Sequence, residues 1–320
     1  MDEVDFHPDG EPILSSAPTR GFGRCDDCGC GAAADAPAGG PRLSRRLFTG
    51  LLGAAGGAAV VPAWARDGVE VGKQSWTTRL IPPEQIEAAG QQQYAQMMKQ
   101  AQQQRALAPA NDPQLRRLRF IAQRIIPLTN SWNARAQQWQ WEVNLLGSKE
   151  INAFCMPGGK IAFYYGILKT LQLTDDEVAI VMGHEIAHAL REHARERMGK
   201  TMATNGAIEL GAAIFGLGNM GRSIAGIGGQ LLSLRFSRED ESEADLVGME
   251  LAARAGYNPE AGVSLWEKMG RAAKGAPPQM LSTHPAGPTR IQDIRANLPK
   301  VEGLYQRAAK PTERFSAPAA

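Results

Sequence analysis

The sequence predicts an α+β fold, mainly helical, with one small β-sheet. Three observations carry that reading. Apolar residues recur at helical spacing in two stretches, 115–125 and 178–190. The segment Trp139–Leu146 (WQWEVNLL) instead alternates in the way of a half-buried strand. Pro157-Gly158-Gly159 then marks a tight reversal between two extended runs, 152–156 and 160–164, which reads as a hairpin. With 320 residues and 43% hydrophobic content there is material for one ordinary domain and an appendage. The 35 Lys and Arg against 33 Asp and Glu leave a formal charge of +2, which gives no reason to expect nucleic acid as a partner.

Residues 1–65 read as a leader. Ser44-Arg45-Arg46-Leu47-Phe48 precedes a Gly/Ala-rich apolar run to Val61, and Ala63-Trp64-Ala65 supplies a small-x-small cleavage site. This resembles a twin-arginine export signal cut before Arg66, with the periplasm as destination and an uncleaved anchor as the alternative. Cys25, Cys28 and Cys30 fall in a Gly/Ala/Pro/Asp tract and read as leader rather than as a metal site. Only Cys155 remains in the body, so no disulfide is available there.

Residues 66–112 form a strap or linker. Pro82-Pro83-Glu84 opens a Gln-, Met- and Ala-rich helix to about Leu107, polar enough for the surface. A helix from Gln114 follows, with Leu115, Leu118, Ile121, Ala122 and Ile125 on one face and Arg116, Arg117 and Arg124 as its solvated side. After the strand and hairpin comes a short helix over 166–171. Thr174 and Glu177 then make a capping box, Thr174 as N-cap and Glu177 three residues on.

That box starts the helix containing His184-Glu185-Ile186-Ala187-His188. Two histidines four residues apart lie one turn from each other, so both imidazoles reach one metal ion. Glu185 lies beside it as general base, the H-E-x-x-H signature of zinc peptidases. Val178, Met182, Ile186, Ala189 and Leu190 take the opposite flank. His193 is nine residues beyond His184, where the metzincin pattern needs ten, and Arg191 stands where that pattern needs Gly. On a continuing helix His193 projects roughly 160° from the metal face and reads as structural.

The Gly-rich stretch 201–235 reads as a mobile segment or helical lid near the cleft. Glu209, Asn219, Arg222 and Gln230 interrupt any 20-residue apolar run, so no span is read here and membrane association of this segment would be peripheral. Ser237 caps the next helix, which Gly256 stops. On it Glu241 and Asp245 share one face with Gly248, and Glu243 points away. Glu241 is thus the better third ligand, with Asp245 placed behind it to accept from a ligand histidine. Asn258-Pro259 opens a helix to about Lys274, and 290–298 forms a last one before a loose tail over 301–320.

Taken together, H-E-x-x-H with Glu241-Ser242-Glu243-Ala244-Asp245 resembles the gluzincin metallopeptidase family of the CAAX prenyl endopeptidase, HtpX, periplasmic BepA and LoiP, and mitochondrial OMA proteases. Asn152-Ala153-Phe154 with Pro157-Gly158-Gly159 matches the edge-strand motif of that family, and Ser282-Thr283-His284-Pro285 with Arg290 matches its late segment. The resemblance spans about residues 113–298, within a metallopeptidase domain over 113–300, and points to a compact BepA/LoiP-like member. It implies a zincin-type domain whose edge strand, residues 152–154 and 157–159, borders the active site and binds substrate. It also implies one Zn2+ per chain on His184, His188 and Glu241. His284 has three readings: a switch that occludes the zinc, an oxyanion stabiliser, or a plain loop histidine.

The function expected is zinc endopeptidase activity on unfolded or outer-membrane polypeptides, in envelope protein quality control. The competing reading is an envelope chaperone-like binding protein with a structural or latent zinc site.

Overall fold

A computed structural model describes residues 67–204, 231–273, 278–284 and 289–319. The expected export signal, the cluster of Cys25, Cys28 and Cys30, and most of the Gly-rich stretch lie outside them.

The described chain begins as an extended strap that enters a 3-10 helix, Trp76–Leu80. Helix α1 (Pro83–Gln103) starts on its proline pair, and α2 (Pro113–Ile125) starts on Asp112, whose carboxylate accepts from the amides of Gln114 and Leu115. Strands β1 (Glu142–Leu146), β2 (Ala153–Met156) and β3 (Lys160–Tyr164) form a mixed sheet in the order β1-β3-β2. The expected hairpin joins β2 to β3 antiparallel, Ala153 facing Phe163, and its turn uses Gly158 and Gly159 at φ 87° and 80°, which suits residues without a Cβ. β1 instead runs parallel to β3, Glu142 opposite Lys160. It is also buried on both faces from Val143 to Leu146 rather than half-buried. The reason is that α2 covers one face while α1 covers the other with Tyr94, Met98 and Ala101, and the Tyr94 hydroxyl donates to the Ile161 carbonyl at 2.6 Å. Among the described residues β2 has no strand partner on its other edge.

Helices α3 (Tyr165–Leu171) and α4 (Asp175–Leu190) follow. The capping box forms as the sequence predicts: Thr174 Oγ1 accepts from the Glu177 amide at 3.3 Å, and Glu177 Oε2 accepts from the Thr174 amide at 2.8 Å. The helix does not continue through His193. α4 ends at Leu190, Glu192 takes the left-handed conformation (φ 58°), and α5 (His193–Thr204) starts in a new direction. Helix α6 (Arg238–Arg254) is capped by Ser237 and packs on α4 as the main contact of the core. Gly183 and Gly248 make this possible: a Cβ on Gly183 would lie 2.6 Å from the Gly248 carbonyl oxygen, and one on Gly248 would lie 2.5 Å from the His184 amide nitrogen. The chain closes with α7 (Ala261–Ala272), α8 (Gln279–Thr283) and α9 (Arg290–Arg307).

Two further expectations change. Arg117 is not on a solvated face: it is fully buried, donating from Nε to Asp175 at 2.6 Å and from Nη2 to the Leu173 carbonyl at 2.7 Å. α2 packs over the start of α4, and the acidic first turn of α4 takes the guanidinium in. The segment expected to be a loose tail from residue 301 is helical as far as Arg307. It then lies along the body, with the Phe315 amide donating to Asp175 and the Phe315 ring 5.6 Å from that of Phe120. Among the described residues no helix is long and apolar enough to cross a membrane.

Candidate metal centre

Four elements deliver side chains to one buried point. α4 presents His184 and His188 from successive turns, α6 presents Glu241 and Asp245, His284 caps the end of α8, and Arg290 opens α9. His184 and His188 face each other through Nε2 at 3.1 Å, and Glu241 lies 3.5 Å from each of those nitrogens. His284 Nδ1 is 2.9 Å from Glu241 Oε1 and 3.4 Å from His184 Nε2. The four donor atoms lie within 4.8 Å of one another, all buried, so one metal ion can be held among them. Three imidazole nitrogens and a carboxylate oxygen are a donor set that zinc takes. Burial pushes His188 well below the usual histidine range, towards the neutral form that a metal requires.

A second layer holds these groups in place. Asp245 Oδ1 is 3.0 Å from His184 Nδ1, which leaves Nε2 directed at the metal position, the arrangement expected of an outer carboxylate. Burial pushes His184 down, but the hydrogen bonds it donates to Asp245 and Glu241 outweigh it and hold the imidazole at about 9. Arg290 ties the layer together. It donates from Nε to Asp245 Oδ2 at 2.6 Å, from Nη2 to Asp245 Oδ1 at 2.8 Å, and from Nη1 to Glu241 Oε2 at 2.9 Å. Its guanidinium lies 3.4 Å above the Trp266 ring. Burial raises both carboxylates, yet their hydrogen-bonded and charged neighbours prevail and hold Glu241 and Asp245 below the carboxylate range. Arg290 was visible in the sequence only as part of the late segment. Its pairing depends on how α9 packs on α6, which no local pattern encodes.

His193 requires a correction. Because α4 stops at Leu190, His193 does not point away among apolar residues: it turns back and places Nδ1 2.9 Å from His188 Nδ1. Glu243, expected to point away from the metal, lies behind it with Oε2 3.5 Å from His193 Nε2 and 2.9 Å from Arg191 Nε. Neither residue belongs to the cluster of four, and both lie around it. Phe236 is another residue that sequence reasoning passed over; its ring stacks on His188 with centroids 4.0 Å apart.

Glu185 lies on the same helix beside the metal position. Its Oε2 is 3.8 Å from His284 Nε2, and its buried Oε1 has no hydrogen-bond partner among the described residues. Burial raises its carboxyl above the usual range, which suits a group that must take a proton. Glu185 faces a cavity whose walls include His188, His284 and the edge-strand residues Asn152, Ala153, Phe154 and Pro157. Apolar side chains, among them Ile86, Leu234 and Phe236, complete it. Gly158 and Gly159 form the turn beyond the cavity, packed on Glu87 and Trp141.

Comparison with known proteins agrees with this architecture. The mitochondrial metalloendopeptidase OMA1 of Arabidopsis thaliana is 37% identical over 150 residues, 47% of this chain and 30% of that protein. The metalloprotease LoiP of Escherichia coli (strain K12) is 33% identical over 192 residues, 59% of this chain and 72% of LoiP. The β-barrel assembly-enhancing protease of the same organism is 29% identical over 161 residues, 47% of this chain and 33% of that protein. The chain therefore spans about a third of OMA1 and of the assembly-enhancing protease, and nearly three quarters of LoiP. The sequence profile of peptidase family M48 matches residues 114–298, a stretch that begins inside α2 and ends inside α9. Every side chain of the buried cluster falls within that match, which covers more than half of the chain, and the protein belongs to peptidase family M48.

Proposed function

We propose that the protein is a zinc-dependent endopeptidase and that the structure corresponds to its closed state. The observation that carries the reading is the buried Oε1 of Glu185, which has no hydrogen-bond partner among the described residues and lies beside the His184–His188–Glu241 cluster. A buried carboxylate oxygen without a partner is costly, and it is tolerated where it has chemistry to do. Zinc at such a site supplies a Lewis acid that polarises a carbonyl and acidifies water. The chain's own residues do the rest. His184, His188 and Glu241 would hold the ion. Glu185 accepts a proton from the attacking water at its free oxygen and passes it to the leaving amine. The outer edge of β2 pairs with an extended substrate backbone and lays it across the cavity, as added strands do elsewhere.

His284 supports the closed reading. As a fourth protein donor it leaves no open position, and a catalytic zinc needs one. The His284 side chain therefore has to leave before a peptide can enter. The same observation favours a second reading, a chaperone-like protein with a permanently closed structural zinc.

Casein cleavage by three proteins separates the two. Low activity in the wild type, a rise in His284→Ala and none in Glu185→Gln supports the latent endopeptidase. Zinc-loaded His284→Ala that cleaves nothing supports the structural site, and loss of an activity that the wild type possesses assigns His284 to the oxyanion.

The resemblance of residues 44–65 to a twin-arginine export signal supports action in the periplasm on unfolded or outer-membrane polypeptides, and the name of the β-barrel assembly-enhancing protease is in keeping with an envelope role. A Glu185→Gln trap, recovered from cells with its bound peptides, tests substrate and compartment together.

A further inference from the structure

We propose that His193 is a positioning residue for the zinc ligand His188, and that Glu243, Arg191 and the strap carbonyl of Gly72 complete its outer shell, so that the seating of the strap sets zinc affinity. The proposal rests on His188 being a zinc ligand. The contacts run in one line. His188 directs Nε2 towards His184 and Glu241, which leaves Nδ1 for His193 at 2.9 Å. In that tautomer His188 donates from Nδ1, His193 accepts at Nδ1 and donates from Nε2 to Glu243 Oε2, 3.5 Å away. Arg191 donates from Nε to the same oxygen at 2.9 Å and from Nη2 to the Gly72 carbonyl at 2.5 Å.

His184 already has a carboxylate behind it in Asp245, and the second histidine ligand receives its support by this route. Two features mark the line as built. Glu192 adopts a left-handed conformation that a non-glycine residue rarely takes, and this turn is what returns His193 to His188. Gly72 approaches Glu243 so closely that a Cβ there would lie 2.9 Å from Oε1. The strap is seated independently as well. Its Val69 amide donates to buried Glu250 at 2.8 Å, and Thr77 donates to the Glu196 carbonyl at 3.4 Å.

Zinc affinity is read by competition against a chromogenic chelator, and coordination by the visible spectrum of the cobalt-substituted protein; neither depends on proteolysis. Outer-shell losses weaken metal binding about 10- to 100-fold, and His193→Ala is expected to do so and to shift the cobalt bands, with the Tm of the metal-free protein unchanged. His193→Gln, which can both accept and donate, is expected to recover part of the affinity. Gly72→Ala pushes the Glu243 carboxylate aside and is expected to weaken zinc by a smaller factor, although residue 72 touches no ligand. His188→Ala is the control. If it binds zinc as tightly as the wild type, the zinc reading itself fails. If it loses zinc while His193→Ala and Gly72→Ala bind like the wild type, the outer shell is overturned and the zinc reading stands. A fall in metal-free Tm that accounts for the whole loss in His193→Ala also overturns the proposal.

Discussion

Glu185 and the groups around it divide the labour at the centre of the molecule, and single substitutions should separate their roles. Glu185→Gln keeps the shape of the side chain and removes its basicity. It is expected to retain zinc by metal analysis while casein cleavage falls about 10²- to 10⁴-fold, the usual worth of a positioned general base. Glu241→Ala removes a ligand and leaves the Arg290 charge partly unpaired in a buried site, so both zinc content and cleavage should be lost. The proposed ligands could be read from the sequence because the four-residue spacing of His184 and His188 and that of Glu241 and Asp245 each follow one helical turn. His193 could not be. Its contact with His188 depends on a left-handed Glu192, and neither glycine nor proline marks the break.

Among the elements, the pairing of α4 with α6 fixes the distance between the two halves of the ligand set. Gly248→Ala puts a methyl group against the backbone of α4 at His184, where no flexible side chain can give way. Overpacking of this kind costs about 1–3 kcal/mol, seen as a lower Tm, and zinc binding should weaken with it because His184 is displaced. The buried pair of Arg117 with Asp175 joins α2 to the start of α4. Arg117→Ala leaves Asp175 without its charged partner in the interior and should cost about 3–5 kcal/mol in urea unfolding. Hydrophobic periodicity located both helices and the capping box located where α4 starts. The same acidic cap explains the difference at Arg117: an arginine next to Arg116 reads as part of a solvated face until its partner on a distant helix is known. The strands show the same limit. Local pattern found the β2–β3 hairpin, whereas the parallel pairing of β1 with β3 and its coverage by α1 depend on contacts distant in sequence.

At the scale of the molecule, the ligands project from helices whose packing does not involve the metal. α4 and α6 meet over an apolar surface that includes Val178, Met182, Ala244 and Val247, all buried. Removing zinc with a chelator should therefore leave the far-UV circular dichroism unchanged, unlike a zinc finger, which unfolds. The Tm should fall, because a ligand present at 100 times its Kd adds about 2.7 kcal/mol to stability. Loss of helical signal on chelation would show that the metal holds the fold together.

The glycine pair at 183 and 248 has a consequence for the substitutions this protein can tolerate. Each glycine faces backbone on the opposite helix, so trimming a neighbouring side chain opens no room for a larger residue at either position. In a saturation library selected for zinc retention, both positions should return glycine alone. Enlarging one cannot be offset by a change at the other, since neither has anything left to remove.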